Sequence, residues 1–480
     1  MTQMVPGLKI GILLPSQKTS KYLSEFLKEA PSSCSIQCLS WNRPLQSNKR
    51  SFISRQWKKI LTILDGRYLN WTPYRGHFNQ STVAAQTISS LEELKGFDFD
   101  YLLSLDGSPF EPQILETTKN GALLLNAGIP SEGTMNFSGF WEVYDRQATT
   151  SFSILHQKKD QSLESVVEGS LLTQSSFLLN QAYITHKALY YLRTFLDKIA
   201  RGEQHTWKHL KGYGPTEPRK PGISALALYI AKRIIRNIQE KVEFRKGAEQ
   251  QWNVAFHHNN WNPHILNQGI PFEISTTQFF ADPFVITKNG HHYCFVEEFD
   301  FKTALGHISV FELTNEKALP LGAVLKEPFH LSFPYLFEYE NELYMCPETS
   351  GANEIRIYKC MEFPLKWTYE KTLMKNIAAV DSMIFKKDEK WWMLTNIDPL
   401  QKKDHCTELC AFYADSPLSD SWTSHPGNPL VIDPLKARNA GLVRKDQNLF
   451  RIAQEQSFGV YGAASRIHQI TRLSETEYTE

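Results

Sequence analysis

The residues best suited to bond-breaking chemistry lie in the second half of this 480-residue chain and recur in step. Asp282, Phe333, Asp381 and Asn439 each head a short apolar run, and Glu297, Glu348, Asn396 and Gln454 follow 15 residues later, each closing an aromatic-rich run. A polar turn separates the two runs every time: Asn289-Gly290, Glu340-Asn341, Asp388-Glu389 and Asp446-Gln447. In a hairpin the first strand begins and the second ends at the same edge, so the two columns share one face. Carboxylates gathered there could cleave a glycosidic bond, one protonating the departing oxygen while another activates water or attacks the sugar. Any single one could equally cap a turn. It is the coincidence of two polar columns that points to a site. Asp282, Glu348 and Asp381 are the candidate catalytic groups. Glu297, Glu298, His330, Arg438, Asn439, Gln454 and Tyr461 are candidates for binding the substrate, with Tyr461 or Trp392 available to stack on a sugar ring.

Paired strands at a repeating interval must carry those columns. The heads of the four segments are 51, 48 and 58 residues apart, the interval of propeller blades. Six of the eleven Trp lie from Trp252 onward, as suits half-buried strand surfaces. On a wheel of blades the two columns would ring a central funnel, a polar cup on a rigid scaffold.

The first half follows another pattern. Short apolar runs at 8–14, 99–105 and 121–125 alternate with helix-like stretches at 19–30 and 111–119, and Ser89-Ser90-Leu91-Glu92-Glu93 resembles a helix start. This predicts a doubly wound α/β domain over 1–205, with a long helix at 182–199. Residues 206–250 form a linker and an amphipathic helix, and 251–480 form the all-β domain. Residues 222–246 interleave apolar and basic residues; the helix is compatible with peripheral contact at an anionic membrane, or with a solvated helix between domains. A net charge of +1 gives no field for collecting nucleic acid, so no nucleic-acid partner is expected. The seven cysteines fall in poor zinc spacing, which predicts free thiols, no metal and a cytoplasmic setting.

Two resemblances refine these expectations. Phe279-Phe280-Ala281-Asp282-Pro283-Phe284, Glu327 to Pro334, Met345-Cys346-Pro347-Glu348-Thr349-Ser350, Phe363-Pro364-Leu365-Lys366-Trp367 and Asp381 with Trp391-Trp392 resemble the propeller domain that precedes the transferase domain in plant glucosamine inositolphosphorylceramide transferases and also occurs in bacterial proteins. More distantly it is similar to five-bladed arabinanase-type, xylosidase-type and levansucrase-type glycosidases. The resemblance implies five blades, the fifth incomplete or closed by residues 252–275. It implies Asp282 as base or nucleophile, Asp381 as the residue that orients substrate, and a glycan or sugar-containing small molecule as partner. Glu348 is the choice for acid, although those glycosidases place theirs in a later blade.

In the first half, Phe99 to Ser104, Ile114 to Pro130 with Asn126, Ser138 to Trp141 and Val167 to Leu172 resemble the folate-dependent formyltransferase domain. That family uses an Asn, a His and an Asp. Asn126 matches, but Gly128 and Val167 stand in the other two places, leaving Glu168 or His156 as replacements. The main reading is therefore a carbohydrate-active protein of surface-polysaccharide metabolism with a degenerate formyltransferase-like domain and no cofactor. The alternatives are an N-formyltransferase for a nucleotide-linked amino sugar, which would need 10-formyltetrahydrofolate, and a non-catalytic glycan-binding scaffold.

Overall fold

The computed structural model describes residues 7–14, 17–41, 60–61, 63, 65, 72, 74, 80–127, 137–203, 208–209, 221–246, 252–259, 268–400, 404–458 and 460–480. The chain divides into two compact units, Met1–Arg245 and Lys246–Glu480.

The first unit is built on one sheet. Leu8–Leu14 lies at its middle, parallel to Cys34–Trp41 on one side and to Tyr101–Ser104 on the other. Gln86–Ile88 and Ala122–Asn126 extend the parallel order outward. Thr149–Gln157, Leu163–Leu172 and Lys208–His209 then add antiparallel strands at one edge. The strand order therefore reverses beside Leu8–Leu14, as in doubly wound sheets. Strand Ala122–Asn126 shows how the sheet is covered on both faces. Ala122 and Leu124 face the cluster of Leu94, Phe99, Ile114 and Leu115, while the intervening Leu123 and Leu125 are buried on the other face. There Phe152 stacks on Tyr191 of helix Phe177–Ala200, ring centroids 5.2 Å apart. The helix start at 89–93 forms as expected, since Ser90 accepts the Glu93 amide and the Glu93 carboxylate accepts the Ser89 amide.

Helix Ile223–Lys246, expected with the linker, belongs to this unit. Leu226 and Tyr229 lie in one core with Phe140 and Phe177. The Tyr229 hydroxyl donates to Asp65 and accepts the Phe177 amide. Apolar burial on one side seats the helix, leaving Ile223, Leu228, Ile234 and Ile235 exposed.

The second unit is propeller-like and all-β. Among the described residues it has four blades, which corrects the expectation of five. Blade one runs from Gln278 to Leu325 and blade two from Ser332 to Lys375, each four antiparallel strands. Blade three begins at Ala379–Lys387 and ends with the short strands Thr423–Ser424 and Val431–Ile432. Blade four has three strands, Arg438–Lys445, Asn448–Ser457 and Val460–Ile470. The leading strands of successive blades lie side by side. Aromatic rings fill the wedges between them: Phe284 sets its edge against Phe333 and Tyr335, and Trp391 meets Phe337 and Tyr339. Among its described residues, the segment expected to complete a fifth blade makes a two-residue ladder, Ala255–Phe256 with Ile270–Pro271. Its Val254 and Phe272 pack into the core of blade one, while Trp252 reaches Tyr461 of blade four.

Candidate functional site

The four hairpins place the two columns in one register. Ala281 pairs with Glu297, Ser332 with Glu348, Val380 with Asn396, and Arg438 with Gln454, so the leading residue of each column follows the residue paired with the trailing one. In the first three blades the ladder is broken there by a β-bulge, and in blade four one residue later, after Asn439. Asp282, Phe333 and Asp381 take φ of 50°, 48° and 51°, the left-handed region that side chains other than glycine rarely adopt. A bulge bends its strand and re-aims a side chain. Three blades thus adopt the same strained geometry at the funnel, at a cost of order 1–3 kcal/mol each.

Arg438 of blade four is the hub. Its Nε donates to Asp381 Oδ2 at 2.6 Å, and Nη2 stands 3.8 Å from Glu348 Oε2. The ring of Tyr461 covers the guanidinium at 5.1 Å. Glu348 also accepts from Ser350 and Ser332, at 2.6 and 3.2 Å. Asp282 accepts the Phe333 amide at 3.1 Å, which ties blade one to blade two. Glu297, 7% exposed, meets His330 Nε2 at 3.3 Å. His330 Nδ1 accepts the Gly306 amide at 2.9 Å, so Nε2 carries the proton that faces Glu297. Only glycine fits at 306, because a Cβ would lie 2.6 Å from the Leu331 carbonyl oxygen and 2.7 Å from the His330 ring.

Four carboxyl groups from three blades therefore face one guanidinium. Burial, then Asp282, Glu348 and Asp381, pushes Glu297 up to about 9. Burial and Asp381 raise Asp282 to about 6, against the pull of Arg438. Burial raises Asp381 to about 6 although Arg438 opposes it. Glu348 is raised by burial, with Arg438 and Ser350 opposing. Arg438 is the shared cation of all four, and burial favours the neutral form of the His330 beside Glu297. Glu297 is thus raised the furthest of the carboxyls that carry a value, and Asp282 and Asp381 less.

Not every expected residue belongs to the cup. Glu298 points to the other face of its strand, where it accepts from Ser309 at 2.5 Å and lies 3.5 Å from His307; the alternation of a strand explains this. Asn439 is corrected from ligand binding to a staple, because its amide donates to the Asp381 and Leu394 carbonyls. Its own amide N–H goes to Asn396, which in turn binds the Glu408 and Ala437 carbonyls. Trp392 is buried against Tyr413 and packs the blade. Gln454 brings a buried amide nitrogen to the side of Tyr461. Sequence reasoning missed Ser332 and Ser350, and no spacing signal marks them beyond their position beside the column residues.

In the first unit Asn126 ends its strand, exposed, with Ser153 and Glu168 in the same row of the sheet. His156 pairs with Leu123, three residues back, or ~10 Å along the strand, and binds the Asn120 carbonyl. It therefore cannot supply the missing imidazole. Gly128 lies outside the described residues.

The family model described as glucosamine inositolphosphorylceramide transferase 1, N-terminal, matches residues 235–480. A glucosamine inositolphosphorylceramide transferase 1 of Oryza sativa subsp. japonica is 33% identical over 270 residues, covering 55% of this chain and 35% of the relative. That of Arabidopsis thaliana is 32% identical over 221 residues, 45% and 28% of the two chains. The match thus spans about a third of these curated relatives. Among solved structures, the family 117 glycoside hydrolase Zg3597 of Zobellia galactanivorans aligns with a TM-score of 0.33 and 14% identity, over 45% of this chain and 70% of that one.

Proposed function

The chain belongs, through residues 235–480, to the family of the glucosamine inositolphosphorylceramide transferase 1 N-terminal domain, and on that footing we propose that its second unit binds a sugar in the carboxylate cup and acts on a glycosidic linkage there. The observation that carries this reading is the convergence of Asp282, Glu297, Glu348 and Asp381 on Arg438. Burying acidic groups beside one another is costly, and such clusters are found where a site uses them. The plant relatives' names speak of glucosamine and inositolphosphorylceramide; what we bring to this chain is the class, a sugar-bearing ligand.

Roles follow from the partners. Glu297, neutral at pH 7, gives its proton to the departing oxygen as the carbon–oxygen bond breaks. Asp282, ionised above about pH 6, takes a proton from water or attacks the sugar carbon. Asp381 is held by Arg438 and orients both. Glu348, chosen from the sequence as acid, is the weaker candidate because two hydroxyls and a guanidinium favour its charged form.

The test is a panel of synthetic glycosides assayed for binding and for release of the aglycone, with the wild type, Asp282→Asn and Glu297→Gln. Turnover lost in both variants, with neither melting below wild type, is the expected result. Binding without turnover would establish the non-catalytic scaffold, and absence of both would sink the reading. N-formyl transfer from 10-formyltetrahydrofolate rests on Asn126 alone, and would have to survive Asp282→Asn unchanged.

A further inference from the structure

In blades one, two and three the third strand is paired on both sides. Leu305–Leu313 is followed outward by Ala318–Leu325, Glu354–Glu362 by Lys366–Lys375, and Glu408–Ala414 by Thr423–Ser424 and Val431–Ile432. The third strand of blade four, Val460–Ile470, pairs with Asn448–Ser457 on one side and, among the described residues, with no strand on the other. This edge is regular over 464–470, which meets 449–455 residue for residue; the ladder shifts beyond Glu455, where Gly462 at a φ of 65° leaves room for the Trp252 indole. Seven residues at ~3.4 Å each make an edge of about 24 Å.

An open edge is a row of unpaired backbone donors and acceptors, which proteins blunt with proline, lysine or a covering segment. Neither proline nor lysine occurs in 464–470. Ala464, Ser465, Arg466, Ile467 and Gln469 are exposed, Ile467 at 47%. The one arginine is tied back to Glu455 of the neighbouring strand, at 2.6 and 2.8 Å.

The side chains indicate which strand fits. Antiparallel pairing of the segment with itself, about a twofold axis at Ile467, uses all seven residues. Ile467 then meets Ile467 of the other copy, Ser465 meets Gln469, Ala464 meets Ile470 and Arg466 meets His468. Glu455 neutralises that arginine, and burial favours the neutral histidine. An axis at Arg466 would set guanidinium against guanidinium, which destabilises a strand pair. An axis at His468 would set Arg466 against the buried Ile470. Ile452 lies beside Ile467 in the ladder, so the register at Ile467 also brings four isoleucines into one row across the joined sheet.

We propose that a second copy of this chain adds its own 464–470 to this edge, joining the two fourth blades into one six-stranded antiparallel sheet.

Sedimentation velocity of the full chain over a wide range of concentration tests it. The wild type should pass from monomer to dimer as concentration rises. Ile467→Lys and Ile467→Glu each place like charges face to face at the axis, and each should weaken dimerisation at least tenfold while leaving Tm in place, because the side chain is exposed. An equimolar mixture of the two variants should dimerise again, since lysine then faces glutamate. A monomer at every concentration would overturn the proposal. A dimer of wild-type strength in both variants would also overturn it and move the contact to another face, such as the exposed Ile223, Leu228, Ile234 and Ile235 of the first unit. Loss of the dimer in each variant without recovery in the mixture would overturn the twofold pairing at Ile467.

Discussion

Two sets of buried polar groups, one in each unit, are held in opposite ways. In the first, Asp65 accepts the Leu178 amide and the Tyr229 hydroxyl, and Asn180 is bonded to Gly139 and Thr150. Each group joins segments distant in sequence and is held by complementary partners. In the second, Asp282, Glu297, Glu348 and Asp381 are buried among one another, and all of them answer to the same guanidinium. Buried polar groups with complementary partners hold a fold together. Buried groups that repel one another lower stability and persist where a site requires them. The contrast separates structure from function more sharply than burial alone, which the two sets share.

Substitution can break this contrast, and the largest effect should come from its hub. Arg438→Met leaves Asp381 and Glu348 buried without their cation and should cost roughly 3–5 kcal/mol. Thermal unfolding of the full chain would register it, and hydrogen exchange should locate the loss in 246–480. An unchanged second unit would show that the carboxyls are neutral without help from Arg438.

Asp65→Ala is the counterpart in the first unit. It strands the Tyr229 hydroxyl and the Leu178 amide, so a loss of about 2 kcal/mol is expected, with faster exchange confined to 1–245. Stabilisation there would erase the distinction.

Glu297→Gln should do the reverse. The folded chain raises this carboxyl from its ordinary 4.5 to about 9, so between those values the native state holds a proton that the unfolded state has released. Its stability contribution is therefore full below about pH 4.5 and is lost as pH rises through about 9. The variant should match wild type at pH 4 and melt higher at pH 8, by several degrees. A lower Tm at pH 8 would make Glu297 a structural residue like Asp65.

The smallest change, Ser90→Ala, calibrates the scale away from either set. Removing this exposed cap should cost about 0.5–1 kcal/mol, with no dependence on sugar ligand and no effect on the second unit. Chemical denaturation monitored by exchange would measure it.

How far the sequence reached varies with the range of the forces involved. The helix start at Ser89 to Glu93, the alternating apolar strands of the first unit and the 15-residue step between columns depend on neighbours in the chain. A turn of fixed length sets hairpin register, and the twofold period of a strand sets which side chains share a face. The sequence alone therefore determined the two columns, their common face and the presence of repeated blades. Tertiary structure decided the number of blades, since ring closure depends on how wedges of Phe284, Phe333 and Trp391 fill the space between sheets. It also decided which column residues remain available: Asn439 and Asn396 were drawn into staples, whereas Glu297 was left against a neutral His330. The placement of Arg438 against Asp381, 57 residues earlier, fixed the hub. Charge interactions between blades depend on distances that no local spacing encodes, because they exist only after separate hairpins have packed around one funnel.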